Sequence, residues 1–138
     1  MNIKQRGKHN YMIGFSCGES IIKTVQESKI IKVPEELIRV SSSFKGGIVH
    51  KGDVCGCLLS SICLLGLKYG RISKEGDLKQ LDKKVSEFYD KFKNKYKTVL
   101  CKEITKKFRD KNAFCTPERK KFCSVIVGST LEDLKKYL

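Results

Sequence analysis

The chain has 138 residues, 40% of them hydrophobic, which is one domain's worth of sequence with enough apolar side chain for a modest core. Its 29 Lys and Arg residues against 15 Asp and Glu give a formal net charge of +14, and 24 of the 29 are Lys. Two Pro, no Trp and no apolar run near the roughly 20 residues that span a bilayer exclude a Pro-rich linker protein and a membrane-spanning one.

Apolar residues recur at intervals of three and four, so the expected fold is all-α: a single domain over 1–138, with five or six helices around a central apolar helix. Residues 1–12 are expected to be flexible or loosely packed. They are basic, but Gly14 and Ser16 break the apolar stretch that follows, so no secretory h-region forms and a cytoplasmic location is expected. Ser16 can cap a helix carrying Ile21, Ile22 and Val25, and Pro34 marks the start of a second. After a segment containing Gly46, Gly47 and Gly52, Asp53 offers a cap for Val54 to Leu67, apolar nearly all round and hence the expected centre. Leu78, Leu81, Val85, Phe88, Phe92 and Tyr96 form the dry stripe of a long helix whose other positions are mostly Lys. A short helix over Val99 to Phe108, a loop over Arg109 to Cys115 and a last helix from Thr116-Pro117-Glu118 to Tyr137 complete the chain. Only Lys29 to Val33 and Ser124 to Val127 are β-branched enough to suggest strand.

Seven cysteines, an odd number, argue against a closed disulfide scaffold. Cys17, Cys55 and Cys101 fall near expected helix N-termini, where free N–H groups and the helix dipole favour thiolate. A thiolate-rich site suits an iron–sulfur cluster, Zn or Cu(I) better than Mg or Ca. No CxxC pair is present, so ligands have to converge from separate helices. Small buried hydrophobes are the alternative role for such cysteines, and Cys57 and Cys63, inside the apolar helix, fit it best.

Several segments together resemble a known family: Gly14-Phe15-Ser16-Cys17, Ser43-Phe44-Lys45-Gly46-Gly47, Gly52-Asp53-Val54-Cys55-Gly56, Leu65-Gly66-Leu67-Lys68-Tyr69-Gly70, Cys101 and Cys123. In this order and at this length the chain resembles the C-GCAxxG-C-C family of redox-active proteins. The resemblance implies that the family's four cysteines are Cys17, Cys55, Cys101 and Cys123 and that these bind a prosthetic group such as a 2Fe-2S or 4Fe-4S cluster; Gly46, Gly47, Gly52 and Gly56 are candidates to let backbone approach it. A similar domain accompanies an iron–sulfur centre in split-Soret cytochrome c. The family's Cys-Gly-Ala-x-x-Gly reads here Cys55-Gly56-Cys57-Leu58-Leu59-Ser60, which adds Cys57 as a further thiol. Lys45 replaces a usual Gly, Val49-His50 stands near a usual Gly-Arg, and Cys115 has no counterpart.

The resulting functional expectation is an electron carrier or accessory redox protein rather than a stand-alone enzyme, with an oxidoreductase or other redox partner of acidic surface, or a second copy of the chain. A cluster without a CxxC clamp is expected to be easily lost. Two alternatives remain open: a thiol–disulfide protein in which Cys55 attacks and Cys57 or Cys17 resolves, and a basic module that binds nucleic acid or protein and whose cysteines are structural. Against nucleic acid, Lys far outnumbers Arg, and Glu75, Asp77, Asp82, Glu87 and Asp90 interrupt the Lys of the long helix. The Gly46-Gly47 segment is no P-loop, and its other role is a turn that lets backbone approach closely. His50 is the one histidine near the suspected site; His9 lies in the basic N-terminal segment.

Overall fold

The three-and-four periodicity is realised as helix throughout the computed structural model, which describes all 138 residues and contains no β-strand. The elements are α1 (Ile3–Met12), α2 (Cys17–Ser28), α3 (Glu35–Ser41) with a 3₁₀ turn at Ser42–Phe44, α4 (Gly56–Tyr69), α5 (Lys79–Tyr96), α6 (Cys101–Ile104), α7 (Lys106–Arg109) and α8 (Pro117–Lys135). Six have seven residues or more, as the apolar spacing implies. The expected helix over Val99 to Phe108 divides at Thr105, whose hydroxyl bonds back to the Cys101 carbonyl at 2.6 Å, into the four-residue α6 and α7. Neither β-branched segment is strand: Ser124 to Val127 lies inside α8, and Lys29 to Val33 turns the chain from α2 toward α3.

The core is built from the apolar stripes of α2 (Ile21, Ile22, Val25), α4 (Leu58, Leu64, Leu65), α5 (Phe88, Phe92) and α8 (Val127, Leu131, Leu134). Helix α4 touches α2, α5 and α8 and is the central element, as expected. Burial of each of these side chains is worth about 1.5–3 kcal/mol.

Residues 1–12 are not loose. They form α1, which packs along α8 and α2 and buries Asn10 and Tyr11. Two local features account for this. Asn2 and Gln5 close a capping box, each side chain accepting from the other's backbone N–H. Gly7 then admits α8 so closely that a Cβ there would stand 2.1 Å from Leu131 Cδ1. The polar Asn10 is satisfied inside by donating to Thr24 at 2.9 Å and Glu27 at 2.8 Å.

The start of α4 also differs from expectation. Asp53 does not cap it; its carboxylate accepts from Val54 N–H, and the helix begins at Gly56. Val54 instead makes an isolated antiparallel bridge with Leu100, with Cys55 N–H donating to Val99 at 2.8 Å and Cys101 N–H to Asp53 at 2.7 Å. This short pairing competes successfully with the Asp cap and sets Cys55 beside Cys101.

Candidate functional site

Each family cysteine is placed by a local device. Cys17 is the first residue of α2, behind the Ser16 N-cap, whose hydroxyl accepts from Glu19 N–H while Glu19 accepts from Ser16 N–H. Cys55, with extended backbone, is the N-cap of α4; Cys101 is the first residue of α6; Cys123 lies in the second turn of α8, which Thr116 caps. Three of the four thus stand at helix N-termini, as the sequence implies.

Cys17, Cys55, Cys101 and Cys123 all line one cavity of about 480 Å³, and Cys57 lines it too. Cys57, expected as a core residue of the apolar helix, is buried yet also lines the cavity, because it lies in the first turn of α4, two residues after Cys55. Apolar walls come from Phe15, Ile104, Phe114 and Ile126, and cationic groups from Lys45, Arg119 and Lys120. Cys63 is half-buried against the core, away from the cavity, and burial pushes its thiol up. Cys115 is exposed in the loop before α8. All seven thiols are free.

Glycines bring backbone to within contact of these thiols. A Cβ on Gly56 would lie 2.7 Å from Cys17 Sγ, and one on Gly47 would lie 2.7 Å from Cys101 Cβ and 2.5 Å from the Asp53 carbonyl oxygen. A Cβ on Gly18 would lie 2.7 Å from Ser60 Oγ, so the small residue four positions after Gly56 serves helix packing. Gly46 and Gly47 begin a left-handed turn in which Ile48, Val49 and His50 also have positive φ, 45° to 65°. β-branched residues rarely adopt this conformation. It is held by backbone bonds from Ile48 to Phe44, Val49 to Ser43, His50 to Lys45 and Asp53 to Gly47. The turn carries Lys45, Gly46 and His50 to the cavity's edge; Gly52 packs outside it, on Lys102.

The thiols are electrostatically unequal. Cys55 and Cys57 donate S–H to Cys17, and the N–H groups of Gly18 and Gly56 add to this, so its thiol is held well below the usual range despite burial. The Cys55 thiol is pushed up, first by its hydrogen bond to Cys17, and the Cys57 thiol is pushed up by its neighbours Cys17 and Cys55 and by burial. Burial pushes Cys123 up, and the Arg119 guanidinium beside it offsets part of that. No three His, Cys, Asp or Glu side chains have the arrangement that holds a single metal ion.

Sequence reasoning did not find Tyr11, Arg109, Phe114 and Arg119. Arg119 donates to Tyr11 Oη at 2.5 Å and to the Phe114 carbonyl at 2.6 Å, and Arg109 donates to Cys101 Sγ at 3.5 Å. The available signal was the scarcity of Arg: only five occur in a chain with 24 Lys.

Fold and site together define a small all-α domain enclosing a cavity lined by five thiols. The chain belongs to the C-GCAxxG-C-C family, described as "Putative redox-active protein", whose model matches residues 15–137. Cys55 and Cys57, on either side of Gly56, both line the cavity. No curated protein and no solved structure matches the chain. No helix is long and apolar enough to cross a membrane.

Proposed function

We propose that the protein is an electron carrier or accessory redox protein that binds an iron–sulfur cluster through Cys17, Cys55, Cys101 and Cys123. The observation that carries this reading is the convergence of these four thiols, from α2, α6, α8 and the segment before α4, on one cavity with cationic groups in its wall. The donor set suits such a group. A cluster draws its thiolate ligands from around it, and four thiols from separate elements can supply them. Bound there, the cluster would supply reversible electron transfer. The chain's own part is to orient the sulfurs, to direct the Gly18 and Gly56 N–H groups at Cys17, and to surround the site with Phe15, Ile104 and Phe114.

Purification without oxygen followed by iron and sulfide analysis tests this reading. Bound iron and sulfide with sulfur-to-iron charge-transfer absorption are expected, and both should be lost in Cys17→Ala and Cys123→Ala. Colourless, iron-free protein that cannot be reconstituted would overturn it.

The contact between Cys17 and Cys55 supports a second reading, thiol–disulfide exchange, with Cys17 rather than Cys55 as attacking sulfur. The Cys17 thiolate would attack a substrate disulfide, forming a mixed disulfide and expelling one thiolate. Cys55, its proton passing to that thiolate, would then attack Cys17 Sγ and expel the second. The substrate gains two electrons and the protein gains a Cys17–Cys55 disulfide. Iron-free protein that forms this disulfide reversibly would establish it.

A further inference from the structure

Two of the five arginines flank the thiol cavity without a carboxylate partner. Neither Arg109 nor Arg119 takes part in any ion pair of the structure. Both are half-buried, and both guanidinium carbons lie 4.4 Å from the centroid of the Phe114 ring. Each is fixed by further bonds: Arg109 donates to Thr105 Oγ1 at 2.8 Å, and Arg119 donates to Tyr11 and to the Phe114 carbonyl. Each also faces one site thiol, Arg109 that of Cys101 and Arg119 that of Cys123. Glu19, the one carboxylate lining the cavity, accepts from Ser16 N–H and pairs with neither.

A half-buried cation without a carboxylate partner carries a desolvation cost that a nearby anion offsets. The sulfurs these two cations face, Cys101 and Cys123, become anionic on ligating a cluster. We propose that Arg109 and Arg119, held on the shared ring of Phe114, are positioning residues that supply the fixed counter-charge of the thiol site, orient Cys101 and Cys123, and raise the site's reduction potential. The sign follows from charge: reduction adds electrons to a site already anionic, and fixed cations favour the more negative form. The argument rests on the redox reading above but holds for a cluster and for a Cys17–Cys55 couple alike, since the reduced pair, with Cys17 as thiolate, is also the more negative partner of its disulfide.

The test is an anaerobic redox titration of the full chain in Arg109→Gln, Arg119→Gln and the corresponding Lys variants. Each Gln variant is expected to shift the redox equilibrium about tenfold toward the oxidised form, about 59 mV for a one-electron couple or 30 mV for a two-electron one. Lys, which keeps the charge but loses the planar fork, should recover most of that shift. Gln variants with the wild-type potential would overturn the proposal, as would Lys variants that shift as far as Gln. Arg109 makes no hydrogen bond to Tyr11 or α1, so Arg109→Gln carries the test should Arg119→Gln not fold. A chain without any redox couple overturns this proposal together with the function above. A chain with a couple that these substitutions leave unmoved overturns this proposal alone.

Discussion

At the scale of single residues the site depends on where side chains are small. Gly56 lets Cys17 Sγ lie against the start of α4, and a Cβ there would also stand 3.1 Å from the Phe44 carbonyl oxygen. Gly56→Ala is therefore expected to cost about 1–3 kcal/mol in urea unfolding and to displace the Cys17 thiol, reducing iron retention. Ser60 shows the opposite case. Its hydroxyl is fully buried and has no hydrogen-bond partner. Ser60→Ala removes an unsatisfied polar group and, with no added volume, is expected to stabilise the domain by about 1 kcal/mol, read as a higher urea midpoint at unchanged m-value. A lower midpoint would show that the hydroxyl is satisfied after all. Four cysteines and the glycines around them were legible in the sequence because a motif carries them. Arg109, Phe114 and Arg119 were not, since they lie on a loop and at helix ends with no periodic signal, and only the folded chain shows that they share one ring and face two thiols.

At the scale of helices, legibility followed cooperativity. Helices α2 and α8, capped by Ser16 and Thr116, could be read closely because cap and apolar residues point to the same start, whereas α5 has no side-chain cap and was legible from its long apolar stripe alone. Helix α1 has a weak stripe and holds its place through tertiary contact at Gly7 and a buried polar pair, neither of which periodicity reports. The junction of α5 with α8 rests partly on charge. Asp133 accepts from Lys95 at 2.5 Å and pairs with Lys91 at 3.3 Å. Burial alone would raise the Asp133 pKa, but the two ammonium groups outweigh it and hold the carboxyl below its ordinary value. A depressed folded-state pKa contributes stability that is complete above the unfolded value, about 3.9, and is lost as pH falls through the folded value. Asp133→Asn is thus expected to lower stability at pH 6 and to flatten its decline below about pH 4. Parallel acid profiles for wild type and variant would remove Asp133 from the account.

At the scale of the whole molecule, the two abundant resources of the sequence, Lys and Cys, are largely deployed apart: only Lys45 and Lys120 of the Lys line the thiol cavity. Exposed Lys side chains lie on α5 (Lys83, Lys93), α7 (Lys106, Lys107) and α8 (Lys121, Lys135), so the excess charge is spread over several helices. Five of the seven Cys, by contrast, meet at one cavity. This segregation predicts how the metal-free protein oxidises. A thiolate attacks only a sulfur it can reach, and Cys17, the thiol held lowest, is in contact with Cys55 and Cys57. Under a mild two-electron oxidant such as diamide, peptide mapping without reduction should find Cys17 joined to Cys55 or Cys57 first. Cys63, shielded by the core and with its thiol pushed up, should remain free. Cys115, exposed on the loop before α8 and outside the cavity lining, should appear mainly in links between two chains, at a yield that rises with protein concentration. An early link between Cys63 and Cys115, or Cys17 still free after Cys63 has reacted, would contradict both the placement of the cavity and the electrostatic order of its thiols.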